Sequence, residues 1–157
     1  ALPQLDLAQY LARIGLDAKV SRDAQGLERL HRAQAYLVPF ENLDILLGRG
    51  IQIDLRAISQ KIIARRRGGY CFELNTLLFA ALQAHGFAAS QAVARVHARG
   101  EPTGFVHLVM LVEAGGERWL ADVGFGANGL RAPIRYQLGA VSEQDGLAYR
   151  LAEVAPW

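Results

Sequence analysis

The chain changes its hydrophobic period once, at Gly86-Phe87, and that change limits it to a helical part followed by a sheet. Before the break, apolar residues return every three or four positions, which places them on one face of a helix. After it they alternate, as in a half-buried strand. The expected class is therefore α+β. Residues 1–86 form a helical bundle and residues 87–157 an antiparallel sheet or small, β-barrel-like unit.

Within the first part, Asp6 caps a short helix carrying Leu7, Tyr10, Leu11 and Ile14, stopped by Gly15. A second helix runs from about Gly26 to Leu37 and ends before Pro39. Pro39-Phe40-Glu41-Asn42-Leu43-Asp44 reads as a turn into an irregular stretch, with two carboxylates unusual for a plain solvent loop. Asp54 caps a third helix, Leu55 to about Arg66, with Ile58, Ile62 and Ile63 on one face. Gly68-Gly69 breaks it. A fourth starts near Cys71 and stops at His85-Gly86.

In the second part, Val93, Arg95 and His97 alternate, Phe105 to Val112 is rich in β-formers, and Glu113 to Glu117 is a hairpin turn. Arg118 to Val123 returns as a strand. A glycine-rich loop, Gly124 to Gly129, leads to short strands near Ile134–Leu138 and Leu147–Val154.

With 52% hydrophobic residues, the 157-residue chain can bury a core without metals or cross-links. Seventeen Lys plus Arg against fifteen Asp plus Glu leave a formal charge of +2, too weak to argue for nucleic acid. One cysteine excludes an internal disulfide framework and a Cys-x-x-Cys metal site. No leader is legible, and no apolar run approaches the roughly 18 residues of a membrane span. The expectation is a cytoplasmic protein with a free thiol, without metal, membrane or nucleic-acid partners.

That thiol, Cys71, follows Arg65-Arg66-Arg67-Gly68-Gly69-Tyr70 and opens the fourth helix. A lone cysteine is often a small buried hydrophobe. At a helix start, however, it meets the positive end of the dipole and unpaired N–H groups, with arginines upstream. These favour the thiolate and supply donors for an oxyanion.

A thiol nucleophile needs a base, and four histidines are available. His31 lies beside Arg29 and Arg32 and reads as solvated. His85 reads as a helix C-terminal residue, and His97 as the rim of a strand. His107 interrupts the apolar run Phe105 to Val112, where an imidazole must be bonded, whether as a core residue or a catalytic one. Asp122, inside Trp119-Leu120-Ala121-Asp122-Val123, tips the balance, because a buried carboxylate must also find a partner. If Gly115-Gly116 is a two-residue hairpin loop, His107 faces Gly124 and Asp122 lies two positions along on the same face. That diagonal is roughly 7–8 Å, within side-chain reach. A helix then presents a thiol and a sheet an oriented His–Asp pair, the logic of acyl transfer.

Arg67-Gly68-Gly69-Tyr70-Cys71-Phe72-Glu73-Leu74-Asn75, Pro39-Phe40-Glu41-Asn42-Leu43, His107 in its apolar strand, and Asp122-Val123-Gly124-Phe125-Gly126 resemble, in order and spacing, the arylamine N-acetyltransferases. The resemblance covers essentially the whole chain. It implies a papain-like Cys-His-Asp arrangement and ping-pong transfer of acetyl from acetyl-coenzyme A through Cys71 to an arylamine, arylhydrazine or hydrazide. This is chemistry of xenobiotic metabolism, without a metal. It further implies that His107 moves protons, Asp122 orients it, Arg67 pairs with Glu41, and Asn75 supports the site. Phe40, Phe72, Val96 and Phe125 are implied to line the acyl and amine pocket. Thr103, Gly104 and Gly126 to Gly129 are implied to approach the coenzyme.

Family members continue into a third α/β domain that shapes the acceptor pocket, whereas this sequence stops at Trp157 directly after a strand-like run. The expectation is a reactive Cys71 with weakened amine acetylation and relatively more hydrolysis of the acetyl donor. Two rivals remain open. One is a non-catalytic module with a vestigial triad, and the other a transglutaminase- or papain-like cysteine hydrolase.

Overall fold

The computed structural model of the chain describes residues 5–97 and 104–153. Helix α1 (Leu7–Arg13) starts where Asp6 Oδ1 accepts from Gln9 N at 3.1 Å. Helix α2 (Ala24–Leu37) is capped by Asp23, which accepts from Gly26 N at 2.8 Å, so it begins before the expected Gly26. A short α3 (Leu43–Leu46) replaces part of the expected irregular stretch. Asp54 caps α4 (Leu55–Ile58), but the helix does not run on regularly to Arg66. It widens into a π-helical segment, Ser59–Ala64. The wide turns bury Ile62 and Ile63 and turn Lys61 toward the start of the next helix, α5 (Cys71–Ala84).

Helix α5 is the spine. Leu74, Leu77, Leu78, Ala81 and Leu82 are fully enclosed, packed among Tyr10, Leu27, Leu30, Ile58 and Ile62 on the helical side and Met110, Val112 and Ala121 on the sheet side. Burying each such Leu or Ile contributes about 1.5–3 kcal/mol. The core therefore fixes α5, and with it the position of its first residue, Cys71.

The sheet has strands β1 (Ala88–Arg95), β2 (Phe105–Ala114), β3 (Glu117–Ala121) and β4 (Ile134–Arg135), antiparallel in that order. A separate hairpin pairs β5 (Val141–Gln144) with β6 (Leu147–Arg150). The fold is α+β, as expected, but the described strands form an open sheet and a hairpin and do not close into a barrel. One reason lies in the return from β3. Only two residues of β4 pair with it, and Gln144 of β5 satisfies the Arg131 and Ala132 N–H groups that a longer strand would have used. The strand near Leu147 is shorter than its expected run to Val154, a residue that lies outside the described ones, as does the chain end at Trp157.

The β2–β3 turn is a two-residue loop with both glycines at positive φ, Gly115 at 63° and Gly116 at 80°. Those are the values a twisted hairpin of this length demands. Ala114 thus faces Glu117 and Met110 faces Ala121, where the ladder stops. On the other side, β1 pairs Ala94 with His107 but Arg95 with Phe105, so Val106 is an extra residue in β2. Such a bulge re-aims its neighbours, and the neighbour here is His107.

Candidate active site

Two surfaces meet at Cys71. The first is the loop before it. Glu41 N donates to Gly69 O at 2.9 Å, and Gly69 N to Pro39 O at 3.2 Å, so Pro39–Glu41 and the glycine pair lie side by side. A Cβ on Gly68 would stand 2.0 Å from Pro39 O, which is why no other residue fits there. Arg67 donates to Glu41 Oε1 at 2.8 Å and Asp44 Oδ1 at 3.0 Å. Beneath them, Lys61 Nζ bonds both oxygens of buried Glu73 at 3.0 Å and lies 3.1 Å from Asp44 Oδ2 and 3.6 Å from Glu41 Oε1. Glu73 Oε2 also accepts from Tyr70 N at 3.0 Å, capping the helix that Cys71 opens. Burial opposes the charge on Lys61, but its bonds to Glu73 and Asp44 and the nearby Glu41 charge outweigh it and leave the ammonium pKa raised.

The second surface carries imidazole and carboxylate. His107, buried, donates from Nε2 to Asp122 Oδ2 at 2.7 Å, which leaves Nδ1 for the Cys71 side. Cys71 Sγ points at Val106 O, 3.6 Å away, so the thiol rests against the bulge beside His107. Burial alone would lower the His107 pKa. The hydrogen bonds to Asp122 and Cys71, together with their charges, overcome that and raise it to about 9. At neutral pH the ring is therefore an imidazolium next to the sulfur. Phe125 stands edge-on to it, centroids 5.4 Å apart at 86°.

Asp122 is held from every direction. Its Oδ1 accepts from Asn75 Nδ2 and Gly124 N, both at 2.8 Å. Asn75 also donates to Leu108 O at 2.5 Å and accepts from Val123 N at 2.9 Å, tying α5 to β2 and to the residues after β3. Gly124 packs so tightly that an added Cβ would sit 2.7 Å from Asn75 Nδ2 and 2.8 Å from Cys71 Cα. The main chain of Asp122 meets a histidine, His31, whose Nε2 is 3.1 Å from its carbonyl oxygen and 3.2 Å from its nitrogen.

The last contact corrects the expectation for His31, which is fully buried and not solvated. Its neighbours Arg29 and Arg32 point outward. His31 itself belongs to the stripe Leu27, Leu30, His31, Gln34 on the inner face of α2, a helical spacing legible in the sequence. Burial pushes its pKa down to about 4. His85 caps α5 with Nδ1 bonded to Ala81 O at 2.7 Å, and His97 is exposed two residues past β1. Lys61, Glu73 and the Val106 bulge were not anticipated. Glu73 stands three residues after the N-cap Tyr70, the capping-box position that marks it in the sequence. The bulge leaves no local signal.

A cavity of about 320 Å³ beside Asp122 is lined by Phe40, Phe125, Gly126 and Gly129, which the fold thus gathers from two distant segments. Phe72, packed against Tyr70 at 5.7 Å, Val96 and Gly104 do not line it, and Thr103 lies outside the described residues. Among the described residues, no group of three or more His, Cys, Asp or Glu side chains is placed to hold a metal ion, and no helix is long and apolar enough to cross a membrane.

Compared with known proteins, residues 23–156 match a family model described as N-acetyltransferase. The arylamine N-acetyltransferase / N-hydroxyarylamine O-acetyltransferase of Salmonella typhimurium is 39% identical over 150 residues, covering 94% of this chain and 53% of the relative. The arylamine N-acetyltransferase of Mycolicibacterium smegmatis is 40% identical over 154 residues, covering 94% and 56%. The solved structure of the Salmonella typhimurium enzyme superposes with a TM-score of 0.91 at 36% identity, over 98% of this chain and 57% of that one. That of the Mycobacterium marinum enzyme in complex with CoA gives 0.87 at 33% identity, over 95% and 57%. The chain spans about half the length of the curated relatives it matches.

Proposed function

Because the chain belongs to the arylamine N-acetyltransferase family, we propose that it transfers acetyl from acetyl-coenzyme A to the nitrogen of an arylamine, arylhydrazine or hydrazide by way of a Cys71 thioester. The observation that carries this reading is the alignment of Cys71, His107 and Asp122 at the junction of α5 and β2, with His107 protonated beside the sulfur. The division of labour is papain-like. The helices before Gly86 supply the thiol, and the strands after it supply the imidazole and carboxylate.

In the first half-reaction the Cys71 sulfur, as thiolate, attacks the acetyl carbonyl carbon and an oxyanion forms. Free N–H groups at the start of α5 are the available donors for that charge. The carbon–sulfur bond to the coenzyme then breaks, and His107 gives its proton to the departing coenzyme thiolate. The Cys71 charge that helped raise the His107 pKa is now gone, so the neutral ring holds its next proton less tightly. It can therefore serve as base when the amine nitrogen attacks the thioester. It takes the amine proton as the new C–N bond forms and the Cys71 sulfur leaves. Asp122 keeps Nε2 protonated throughout and Nδ1 turned to the reaction.

Phe40, Phe125 and the Gly126–Gly129 loop are assigned to the acceptor and coenzyme entrance on the strength of their shared cavity. Phe72, Val96, Thr103 and Gly104 are assigned by resemblance alone. Arg67, Glu41 and Asn75 position the site without touching substrate. A thiol nucleophile and a coenzyme donor suit the reducing cytoplasm.

Intact-mass spectrometry after exposure to acetyl-coenzyme A tests the reading. One added acetyl group is expected on the wild type and none on Cys71→Ser, with loss of the adduct and formation of N-acetyl product when an arylamine is added. Release of coenzyme thiol that is unchanged by Cys71→Ser would refute it.

A further inference from the structure

Asp122 is the first residue past the end of β3, where the β2–β3 ladder has already stopped at Met110 and Ala121. Its main-chain N–H and C=O are buried and have lost their strand partner, and such groups must be bonded elsewhere. His31 meets both. From α2, 91 residues away in sequence, its Nε2 lies 3.1 Å from the carbonyl oxygen and 3.2 Å from the nitrogen. In one tautomer the ring accepts from the N–H; in the other it donates to the C=O. Its Nδ1 is buried and makes no hydrogen bond, although the Arg131 main chain lies close enough to the ring to favour its proton.

We propose that His31 is a positioning residue for the proposed active site, a buried clamp that sets the main chain of Asp122 and through it the placement of His107 against Cys71. The inference rests on the catalytic reading of Cys71, His107 and Asp122.

Three observations make the clamp more than packing. First, the Asp122 carboxylate is fixed by Asn75 and Gly124, but Gly124 is itself in the segment that His31 anchors, so the carboxylate cannot hold its place if that segment moves. Second, Gln34, three residues along the same inner face of α2, donates from Nε2 to Leu74 O at 2.8 Å and accepts from Tyr10 OH at 2.7 Å. One helix face therefore pins both the residue before Asn75 on the thiol's helix and the residue that orients the imidazole. Third, burial keeps His31 neutral, its pKa pushed down to about 4, so the clamp adds no charge beside Asp122 to compete with the His107 proton. A few tenths of an ångström matter here, since misplacing catalytic groups by about 1 Å costs on the order of 10²-fold in rate.

The test is the rate of Cys71 alkylation by iodoacetamide across pH, measured on the 157-residue chain and on His31→Leu, His31→Gln and His107→Asn, with the folded fraction of each fixed by circular dichroism. His31→Leu is expected to slow alkylation at neutral pH about tenfold and to move its pH profile toward that of His107→Asn. His31→Gln, which keeps a donor and an acceptor at the clamp, should recover most of the wild-type rate and profile. If His31→Leu does not fold, the comparison of His31→Gln with His31→Ala decides between the same outcomes. A profile that stays at the wild-type position in every folded His31 variant, while stability falls, overturns the clamp and leaves a merely structural histidine. If His107→Asn also leaves the profile unmoved, the catalytic reading itself has failed.

Discussion

The two surfaces that meet at Cys71 are held by opposite means. The loop side rests on full charges. Glu41, Asp44 and Glu73 surround Lys61 and Arg67, five ionised groups within one shell beneath the Gly68-Gly69 turn. The sheet side carries a single ionised pair, His107 and Asp122, and the groups that fix Asp122 are neutral: an amide side chain, the backbone N–H of Gly124 and an uncharged imidazole. The contrast follows from what each side does. A loop that only has to hold its shape tolerates strong local fields, provided the charges balance. On the proposed reading the sheet side has to give up and regain a proton, and an extra charge a few ångströms from His107 would move its pKa.

Asp122→Asn breaks the neutral side hardest. The amide nearly preserves shape but removes the charge that holds the His107 proton, and with it the preferred tautomer. Acetyl transfer is expected to fall by on the order of 10⁴-fold, read by stopped-flow release of coenzyme thiol. The same change tests the pH behaviour. The His107 pKa stands above its ordinary 6.5, at about 9 in the folded chain. Its contribution to stability is accordingly complete below 6.5 and lost as pH rises toward and through 9. Imidazole proton resonances should titrate near 9 in the wild type and fall back toward 6.5 in Asp122→Asn. A wild-type midpoint near 6.5 would remove the imidazolium from the first half-reaction.

Lys61→Met is the equivalent blow on the charged side and should read out differently. It leaves Glu73 buried without its cation, beside Glu41 and Asp44. Breaking a buried pair in this way costs about 3–5 kcal/mol, to be measured as a shift in the denaturant midpoint. The His107 titration should stay in place, because no group in this network contacts the ring. Movement of that titration in folded Lys61→Met would erase the distinction between the two sides.

The sequence made these sides legible to very different degrees. The register of β2 and β3 was legible because a two-residue glycine loop fixes it, but the ladder stops at Met110 and Ala121, short of the expected His107–Gly124 pair, so His107 meets Asp122 without that pairing. The thiol at the head of α5 was marked by the glycine break before it. His31 was obscured by judging it from its nearest neighbours, Arg29 and Arg32, instead of from its helical phase with Leu27, Leu30 and Gln34. Lys61 was hidden because the expected regular helix became π-helical at Ser59, which changes the direction of every side chain after it. The Val106 bulge and the open edge of the sheet depend on pairing between segments far apart in sequence, and no local pattern encodes them.

Arg67→Lys is the finest probe of the charged side. Arg67 is one of its more exposed members, with about a third of its side chain accessible, and its two nitrogens divide between Glu41 and Asp44 at 2.8 and 3.0 Å. A lysine keeps the charge but cannot present the same rigid fork to both carboxylates. Solvent already screens the pair, so the expected loss of stability is small, well below that of Lys61→Met. Ionic strength sharpens the comparison. Salt should shrink the difference between Arg67→Lys and wild type, because a pair with a solvent-accessible cation is screened over a Debye length of about 10 Å at 0.1 M. It should leave the deficit of Lys61→Met nearly intact, since Lys61 and Glu73 are enclosed. Equal salt dependence of the two variants in equilibrium unfolding would mean that the network has no protected interior. The loop before Cys71 would then be held by its backbone bonds to Pro39 and Glu41 instead.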